Sequence, residues 1–185
     1  TLLAAIAYVL TRQGDAVSLV TFDEDVRDRL PARSGPAHLD YLMRTLAEPT
    51  RPSGKTELHG SLDKLIEHAG RMGMVVIASD LLDLQDGALD PIARIQARGH
   101  QTTVLHVMDP AELELPYEQP LHFEGLEGEA PVEVDPKGLR RRYLESIDAF
   151  VESCQRRVVA AGARYLLART DTPPEHTLLQ LLRDG

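Results

Sequence analysis

The stretch MVVIASD, residues 74–80, decides the fold that this sequence predicts. Its apolar, partly β-branched residues end abruptly at Ser79 and Asp80, and helical patterns stand on both sides of it. Such a run is typical of a strand that is buried on both faces of a parallel sheet. In open α/β sheets the ligand crevice lies at the carboxyl ends of the strands. We therefore expect Asp80 to lie where proteins of this class bind their ligands.

A second stretch, GKTEL at residues 54–58, leads into the helix that precedes this strand. Thr56 opens that helix, so we expect its hydroxyl to reach the same crevice as Asp80. A hydroxyl and a carboxylate are hard oxygen donors, and they suit a magnesium-type ion that keeps several waters. The alternative is purely structural: Thr56 caps its own helix, and Asp80 caps the helix after its strand. The two residues taken alone leave both interpretations open.

The rest of the chain alternates helical and strand patterns, which predicts an α/β fold with crossover helices. Its 185 residues, 43% of them hydrophobic, are enough for one sizeable core, so residues 1–185 are predicted to form a single domain. The strand patterns fall at residues 16–22, 26–30, 74–79, 102–107 and 165–168, with the second of them at an exposed sheet edge.

Composition and charge exclude several classes of function. The net charge of −9 disfavours nucleic acids and anionic membranes as partners. No apolar run approaches the roughly 18 residues of a membrane span. The lone Cys154 excludes an internal disulfide and a cysteine-based zinc cluster, and it favours a reducing, cytoplasmic location. Its place on a helical apolar face predicts a packed core thiol and not a nucleophile.

Residues 109–135 differ from the rest of the chain, because they are rich in glutamate and proline and contain no lysine or arginine. Residues 121–124 and 132–134 are predicted to pair as a small hairpin. The simpler interpretation is a solvated insertion at the end of the sheet. The alternative is an acidic surface that docks a basic partner, which would make the protein a metal-free scaffold.

A nucleotide-binding enzyme is a further alternative. Lys55 and Thr56 follow Gly54 as in the end of a phosphate-binding loop, and the run that ends at Asp80 is similar to the strand that accompanies such loops. The full pattern, G-x-x-x-x-G-K-[ST], needs a first glycine where this chain has Pro49. Without that glycine the backbone amides cannot wrap a phosphate, so an enzyme using Lys55, Thr56 and Asp80 is the weaker reading.

The order and spacing of these motifs resemble a von Willebrand factor type A domain. GKTELHGSL at residues 54–62 fits the threonine element of its metal-ion-dependent adhesion site, and VIASD at residues 76–80 fits the aspartate element. More narrowly, the chain is similar to the bacterial family catalogued as domain of unknown function 58. The matching features cover nearly the whole chain: QGD at 13–15, SDL at 79–81, DPAE at 109–112, RY at 142–143 and TDTP at 170–173.

This resemblance implies a doubly wound, mostly parallel, Rossmann-like sheet and a non-enzymatic module for binding other proteins. It implies that a Mg²⁺ ion with an open coordination position accepts a carboxylate from the partner. Thr56 would contribute its hydroxyl, directly or through water, and Asp80 its carboxylate, with Asp23 and Asp83 as weaker candidates. Members of the family are commonly encoded beside MoxR-type AAA+ ATPases, so such an ATPase is the implied partner.

One element of the family pattern, the D-x-S-x-S loop, is absent from this sequence. The chain begins at the helix that should follow that loop, so we expect the first central strand and most of the metal-site side chains to lie upstream of Thr1. Any membrane association would likewise come from segments outside this chain. The strands that end at Phe22 and Ser79 would then lack the neighbour between them. An upstream segment, a strand exchanged within a dimer, or direct pairing of the two strands would fill the gap.

Overall fold

The computed structural model describes residues 1–22, 26–48, 58–68, 72–82, 84–123 and 132–183. Helices and strands alternate along these segments. The helices are α1 (Leu2–Gln13), α2 (Pro36–Ala47), α3 (Leu58–His68), α4 (Asp90–Ala97), α5 (Pro110–Glu114), α6 (Pro136–Ala160) and α7 (Pro174–Arg183). The strands are β1 (Val17–Phe22), β2 (Val26–Arg33), β3 (Met74–Ser79), β4 (Gln101–Met108), β5 (Leu121–Phe123), β6 (Val132–Val134) and β7 (Arg164–Arg169).

A parallel sheet in the order β3-β4-β7 forms the centre of the fold. In its register Ser79 of β3 lies beside His106 of β4, and His106 lies beside Leu167 of β7. Because the strands are parallel, β3, β4 and β7 all end at one edge, which we call the carboxyl edge. The other two pairs are antiparallel: β1 with β2, and β5 with β6.

Helices cover both faces of the parallel sheet. On one face, α3, α4 and α6 bury a cluster that includes Leu62, Ile92 and Val158 against β3 and β4. On the other face, Ile6 of α1 and Leu181 of α7 pack against β4 and β7. These three layers agree with the predicted α/β class, in which helices flank a mostly parallel sheet.

The β1-β2 pair lies beneath some of the same helices as the parallel sheet. Ala7 of α1 joins a cluster with Leu30 of β2, while the neighbouring Ile6 belongs to the cluster on the parallel sheet. On the opposite side, Phe22 at the end of β1 packs against the cluster that contains α3 and β3. Within the described residues, however, β1 pairs only with β2 and β3 only with β4. Direct pairing of β1 with β3, one of the three ways in which the gap could be filled, is therefore not found in the part of the chain that the structure describes.

The burial of β3 differs from its sequence-based prediction. Residues 74–79 were expected to be buried on both faces, but Ile77 is the one residue of β3 that is fully buried. In β4, which has a neighbour on each side, most residues are buried. Among the described residues β3 has a neighbouring strand on one side only, and its apolar side chains are half covered.

The segment 109–135 contains more structure than the sequence predicts. The predicted hairpin is present as β5 paired with β6. The short helix α5 was not predicted from the sequence. Asp109 and Glu112 form a capping box at its start: the Asp109 side chain accepts a hydrogen bond from the backbone at Glu112, and the Glu112 side chain accepts one from the Asp109 backbone N–H. Leu115, with φ 42, ends this helix in the left-handed conformation.

Candidate functional site

Asp80 follows β3 directly and lies exposed at the carboxyl edge. Its Oδ1 accepts a hydrogen bond from the Leu82 backbone N–H at 3.2 Å, and the Ser79 hydroxyl oxygen accepts one from the Leu81 N–H at 3.1 Å. These two contacts form a tight turn after the strand. Among the described residues, Oδ2 has no hydrogen-bond partner.

Leu81 anchors the turn. Its φ of 55 is in the left-handed region, which costs a residue with a Cβ about 1 kcal/mol. Its side chain is only 2% exposed and packs in the same cluster as Ile77 and Leu58. The burial of this leucine therefore holds a strained backbone in place immediately after Asp80.

The other candidates from the sequence, Thr56, Asp23, Asp83 and Lys55, lie outside the described residues. The distance between the Thr56 hydroxyl and the Asp80 carboxylate is therefore not part of the structure. Residues that flank these candidates in the sequence are described.

Those flanking residues pack together. Phe22, Leu58, Leu81 and Leu84 all belong to the cluster between α3, α6 and the parallel sheet. Each is bonded to a candidate or separated from one by a single residue in the sequence. The described residues that stand next to the candidates in the sequence thus share one cluster, which includes the residue after Asp80.

The loop after β3 is also held from α6. Arg157 donates from Nη1 to the Leu84 carbonyl at 2.6 Å, and its other terminal nitrogen contacts the Gln85 carbonyl and, at 3.5 Å, the carboxylate of Asp86. This guanidinium fixes the backbone that leads away from Asp80, because its planar fork matches two neighbouring carbonyls.

Below the Asp80 turn lies a buried histidine that sequence reasoning did not single out. His106 is fully buried, and its Nδ1 is 2.8 Å from the Tyr165 hydroxyl. Its ring makes edge contacts with Phe150 and Tyr165 at centroid distances of 5.5 and 5.8 Å. The sequence contained a signal for this burial, because His106 stands two residues after Val104 in β4 and therefore lies on the same face of the strand.

Burial decides the ionisation of this pair. It lowers the pKa of His106, while the backbone carbonyl and charge of Asp80 and the charge of Glu112 act in the opposite direction. Burial also raises the pKa of Tyr165 to about 12, with the Cys154 thiol group adding to the shift. His106 and Tyr165 are therefore a neutral hydrogen-bonded pair at neutral pH.

Beside the Asp80 turn, a group of polar side chains joins the ends of β4 and β7; we call it the carboxyl-edge cluster. Thr170 donates from its hydroxyl to Asp109 Oδ2 at 2.7 Å, and Arg169 binds both Glu114, at 2.7 Å, and Asp171, at 2.9 Å. The backbone N–H of Ala111 and then the Thr170 hydroxyl lower the pKa of Asp109, and Arg169 lowers the pKa of Asp171. The cluster fastens α5 over the edge of the sheet.

Helix α6 supports the same helix α5 from its other side. The Tyr143 hydroxyl donates to the Glu112 carbonyl at 2.7 Å, and Arg140 donates to the Glu114 carbonyl at 3.3 Å. The motifs at residues 109–112, 142–143 and 170–173, on which the family resemblance rests, thus lie close together in the fold. Their separation in the sequence does not predict this proximity.

The described residues fit a magnesium site only in part. They contain no group of three or more histidine, cysteine, aspartate or glutamate side chains that could hold an ion by themselves. The carboxylates of the carboxyl-edge cluster are already bound to Arg169, Thr170 and backbone N–H groups. One exposed carboxylate, Asp80, is the donor they offer, and Mg²⁺ is commonly held by one or two carboxylates with waters at its other positions. Its further ligands would come from residues outside the described ranges.

Cys154 behaves as its helical position predicts. It is a free thiol, 2% exposed, within the cluster between α6 and the sheet. Burial raises its pKa, so the thiol stays protonated at neutral pH. The prediction of a packed core thiol is confirmed.

The fold and the candidate site define a class: an α/β protein whose parallel sheet presents an exposed aspartate at its carboxyl edge. A family model described as protein of unknown function DUF58 matches residues 1–150, and the chain belongs to that family. The prediction of this family is confirmed.

Relatives of the chain come from mycobacteria. It is 30% identical to Uncharacterized protein Rv1480 of Mycobacterium tuberculosis over 172 residues, which are 91% of this chain and 53% of the relative. It is 33% identical to Uncharacterized protein MAV169 of Mycobacterium avium over 150 residues, which are 77% of this chain and 85% of that relative. The chain thus spans about half the length of Rv1480 and most of MAV169.

Two solved structures share the fold. One is described as conserved hypothetical protein BatB from Bacteroides thetaiotaomicron, with a TM-score of 0.58, 16% identity, and coverage of 97% of this chain and 81% of that one. The other is an aerotolerance-related membrane protein from Bacteroides fragilis, with a TM-score of 0.57, 16% identity, and coverage of 99% and 85%. In the chain itself, no helix among the described residues has the length and apolar character needed to cross a membrane.

Proposed function

We propose that this chain is a non-enzymatic protein–protein interaction module whose binding site is a Mg²⁺ ion at Thr56 and Asp80. Asp80 would supply a carboxylate and Thr56 a hydroxyl, directly or through water. The bound ion would offer an open position to a carboxylate of the partner. The resemblance to von Willebrand factor type A domains implies this chemistry, and membership of the DUF58 family agrees with the narrower resemblance.

The observation that carries the proposal is that residues next to the candidate ligands in the sequence belong to one buried cluster. Leu58, the first residue of α3, and Leu81, which follows Asp80, lie in one buried cluster. Asp80 is exposed at the carboxyl edge, with one carboxylate oxygen turned to the backbone of its own turn. A carboxylate held in this way is oriented before an ion arrives, which lowers the entropy cost of binding.

We further propose a MoxR-type AAA+ ATPase as the partner. This part rests on the family resemblance alone.

The test uses the natural full-length protein, titrated with Mg²⁺ by calorimetry and with the ATPase by biolayer interferometry. Asp80→Ala should weaken both affinities by about tenfold or more, since ligands and their supports typically contribute that much. Asp86→Ala is the matched control: it removes an exposed aspartate from the same loop, and both affinities should remain unchanged. Normal partner binding by Asp80→Ala would contradict the proposal.

The same material separates the two alternatives. Binding of ATP that is lost in Lys55→Ala would indicate a nucleotide-binding enzyme. Partner binding that weakens with salt and is indifferent to EDTA would indicate a metal-free acidic scaffold.

A further inference from the structure

We propose that Asp86 is a site of covalent modification: its carboxyl group condenses with the backbone nitrogen of Gly87, and the succinimide that forms opens to an isoaspartyl linkage. The inference goes beyond the proposed function and requires no bound ion. It concerns the loop that joins β3 to α4, within the described residues 84–90.

The first step is the pair of residues. Asp86 precedes Gly87, and within the described ranges no other aspartate, and no asparagine, stands before a glycine. A Cβ on the following residue crowds the nitrogen that attacks, whereas glycine leaves that nitrogen open and lets the backbone rotate. The described part of the chain therefore offers this reaction one favourable sequence, at residues 86 and 87.

The second step is the turn that holds the pair. The Ala88 N–H donates to the Gln85 carbonyl at 3.2 Å and closes a β-turn, with Gly87 as its third residue. The φ of Gly87 is 79, as the third position of a type II turn requires. The peptide group between Asp86 and Gly87 takes no part in the closing bond, and the Gly87 N–H has no hydrogen-bond partner among the described residues. The attacking nitrogen is therefore not restrained by a hydrogen bond.

The third step is the freedom of the carboxyl group. The Asp86 side chain is fully exposed, and its recorded contact is a surface ion pair with Arg157 at 3.5 Å. Such exposed pairs restrain a side chain only weakly. The carboxylates of Asp80 and Asp109, by contrast, each accept a backbone N–H of their own turn. The Asp86 carboxyl group is free to rotate toward the Gly87 nitrogen.

The reaction balances without a further reagent. The Gly87 nitrogen attacks Cγ of Asp86 and forms a five-membered ring, while the amide proton and a carboxyl oxygen leave in a molecule of water. Water then adds to the ring at the backbone carbonyl of Asp86 and breaks the bond from that carbonyl to the Gly87 nitrogen. The chain is now connected through Cγ, and the former backbone carbonyl is a free carboxylate. Since the water lost is regained, the net change is an isomerisation.

The surrounding contacts give the modification a structural consequence. The isoaspartyl linkage adds one methylene to the backbone between Gln85 and Ala88. Arg157 binds the Gln85 carbonyl on one side of the insertion, and the Ala88 and Leu89 side chains are buried on the other. The longer backbone cannot keep both anchors and the closing bond of the turn, so we expect the Ala88 N–H to lose its partner.

The test ages the natural full-length protein at neutral pH and physiological temperature, beside a synthetic peptide of residues 84–90. Mass spectrometry with electron-transfer fragmentation locates isoaspartate, and methyl transfer by an isoaspartyl methyltransferase quantifies it in the digest peptide that spans residue 86. The rate in the folded protein should lie within about tenfold of the peptide rate, a difference in activation free energy of about 1.4 kcal/mol or less. Isomerisation in the peptide but none in the folded protein would overturn the proposal.

Asp148 is the internal reference, because it lies inside α6, where the following N–H is held by the helix, and it should not isomerise. Asp86→Glu is the matched variant: it keeps the charge and exposure but would need a six-membered ring, so methyl transfer to its peptide should disappear. Gly87 is left unchanged, because a Cβ there would lie 3.2 Å from Asp90 Oδ2. Undiminished methyl transfer in Asp86→Glu would place the reactive residue elsewhere. In the isomerised fraction the Ala88 amide should exchange faster than in fresh protein, and equal exchange would refute the loss of the turn bond.

Discussion

At the residue scale, the turn after β3 combines strain with burial. Leu81 accepts a left-handed backbone because its side chain completes the cluster around Ile77 and Leu58. The neighbouring Leu82 points to solvent and is 63% exposed. Two adjacent leucines thus have opposite roles, and one of them holds the candidate ligand Asp80 in place.

These two leucines supply a direct test. Leu81→Ala should lower the free energy of unfolding by about 2–4 kcal/mol, because it removes a buried side chain and leaves a cavity. Leu82→Ala should change it by less than about 0.5 kcal/mol, as is usual at exposed positions. The measurement is urea unfolding followed by circular dichroism. Similar losses for both variants would contradict the burial of Leu81.

At the scale of elements, the carboxyl-edge cluster joins β4, α5 and β7, which are far apart in the sequence. Asp109 accepts from Ala111 N–H at 2.9 Å and from the Thr170 hydroxyl at 2.7 Å. Both bonds favour its charged form and lower its pKa. The stability that they confer is fully present above the ordinary aspartate pKa and is lost as the pH falls through the lowered one.

Thr170→Val should therefore move the pKa of Asp109 upward, toward but not up to its ordinary value, since the hydrogen bond from the Ala111 N–H also lowers this pKa and remains. Thr170→Ser keeps the hydroxyl and should leave the pKa low. Carbon-detected NMR titration of the Asp109 carboxyl group measures both. An unchanged pKa in Thr170→Val would show that the threonine hydroxyl does not bind Asp109 in solution.

At the scale of the whole molecule, two sheets lie under shared helices and do not pair with each other in the described part of the chain. The amides of β4 have partners on both sides, in β3 and β7. Those amides of β3 that point away from β4 have none among the described residues. Within the described residues, then, no further strand pairs with the free edge of β1 or of β3.

Native-state hydrogen exchange of residues 1–185 should show this difference. We expect the amides of β4 to exchange at least about tenfold more slowly than the outward-pointing amides of β3, because exchange follows local hydrogen bonding and packing. Size-exclusion chromatography in parallel would detect a dimer by strand exchange. Equal protection of β3 and β4 would mean that another strand already pairs at the open edge.

The sequence by itself determined the element order, the parallel strands and the position of Asp80 after β3, because periodicity and turn residues are local signals. It also identified the DUF58 family from the order of its motifs. The half-buried state of β3 was decided by the tertiary structure, since it depends on which neighbours are present. The short helix α5 has a local signal, the capping box of Asp109 and Glu112, which the sequence analysis did not use. The His106–Tyr165 pair and the carboxyl-edge cluster join residues separated by 59 and 61 positions, and no local pattern specifies such a contact before the sheet brings its strands together.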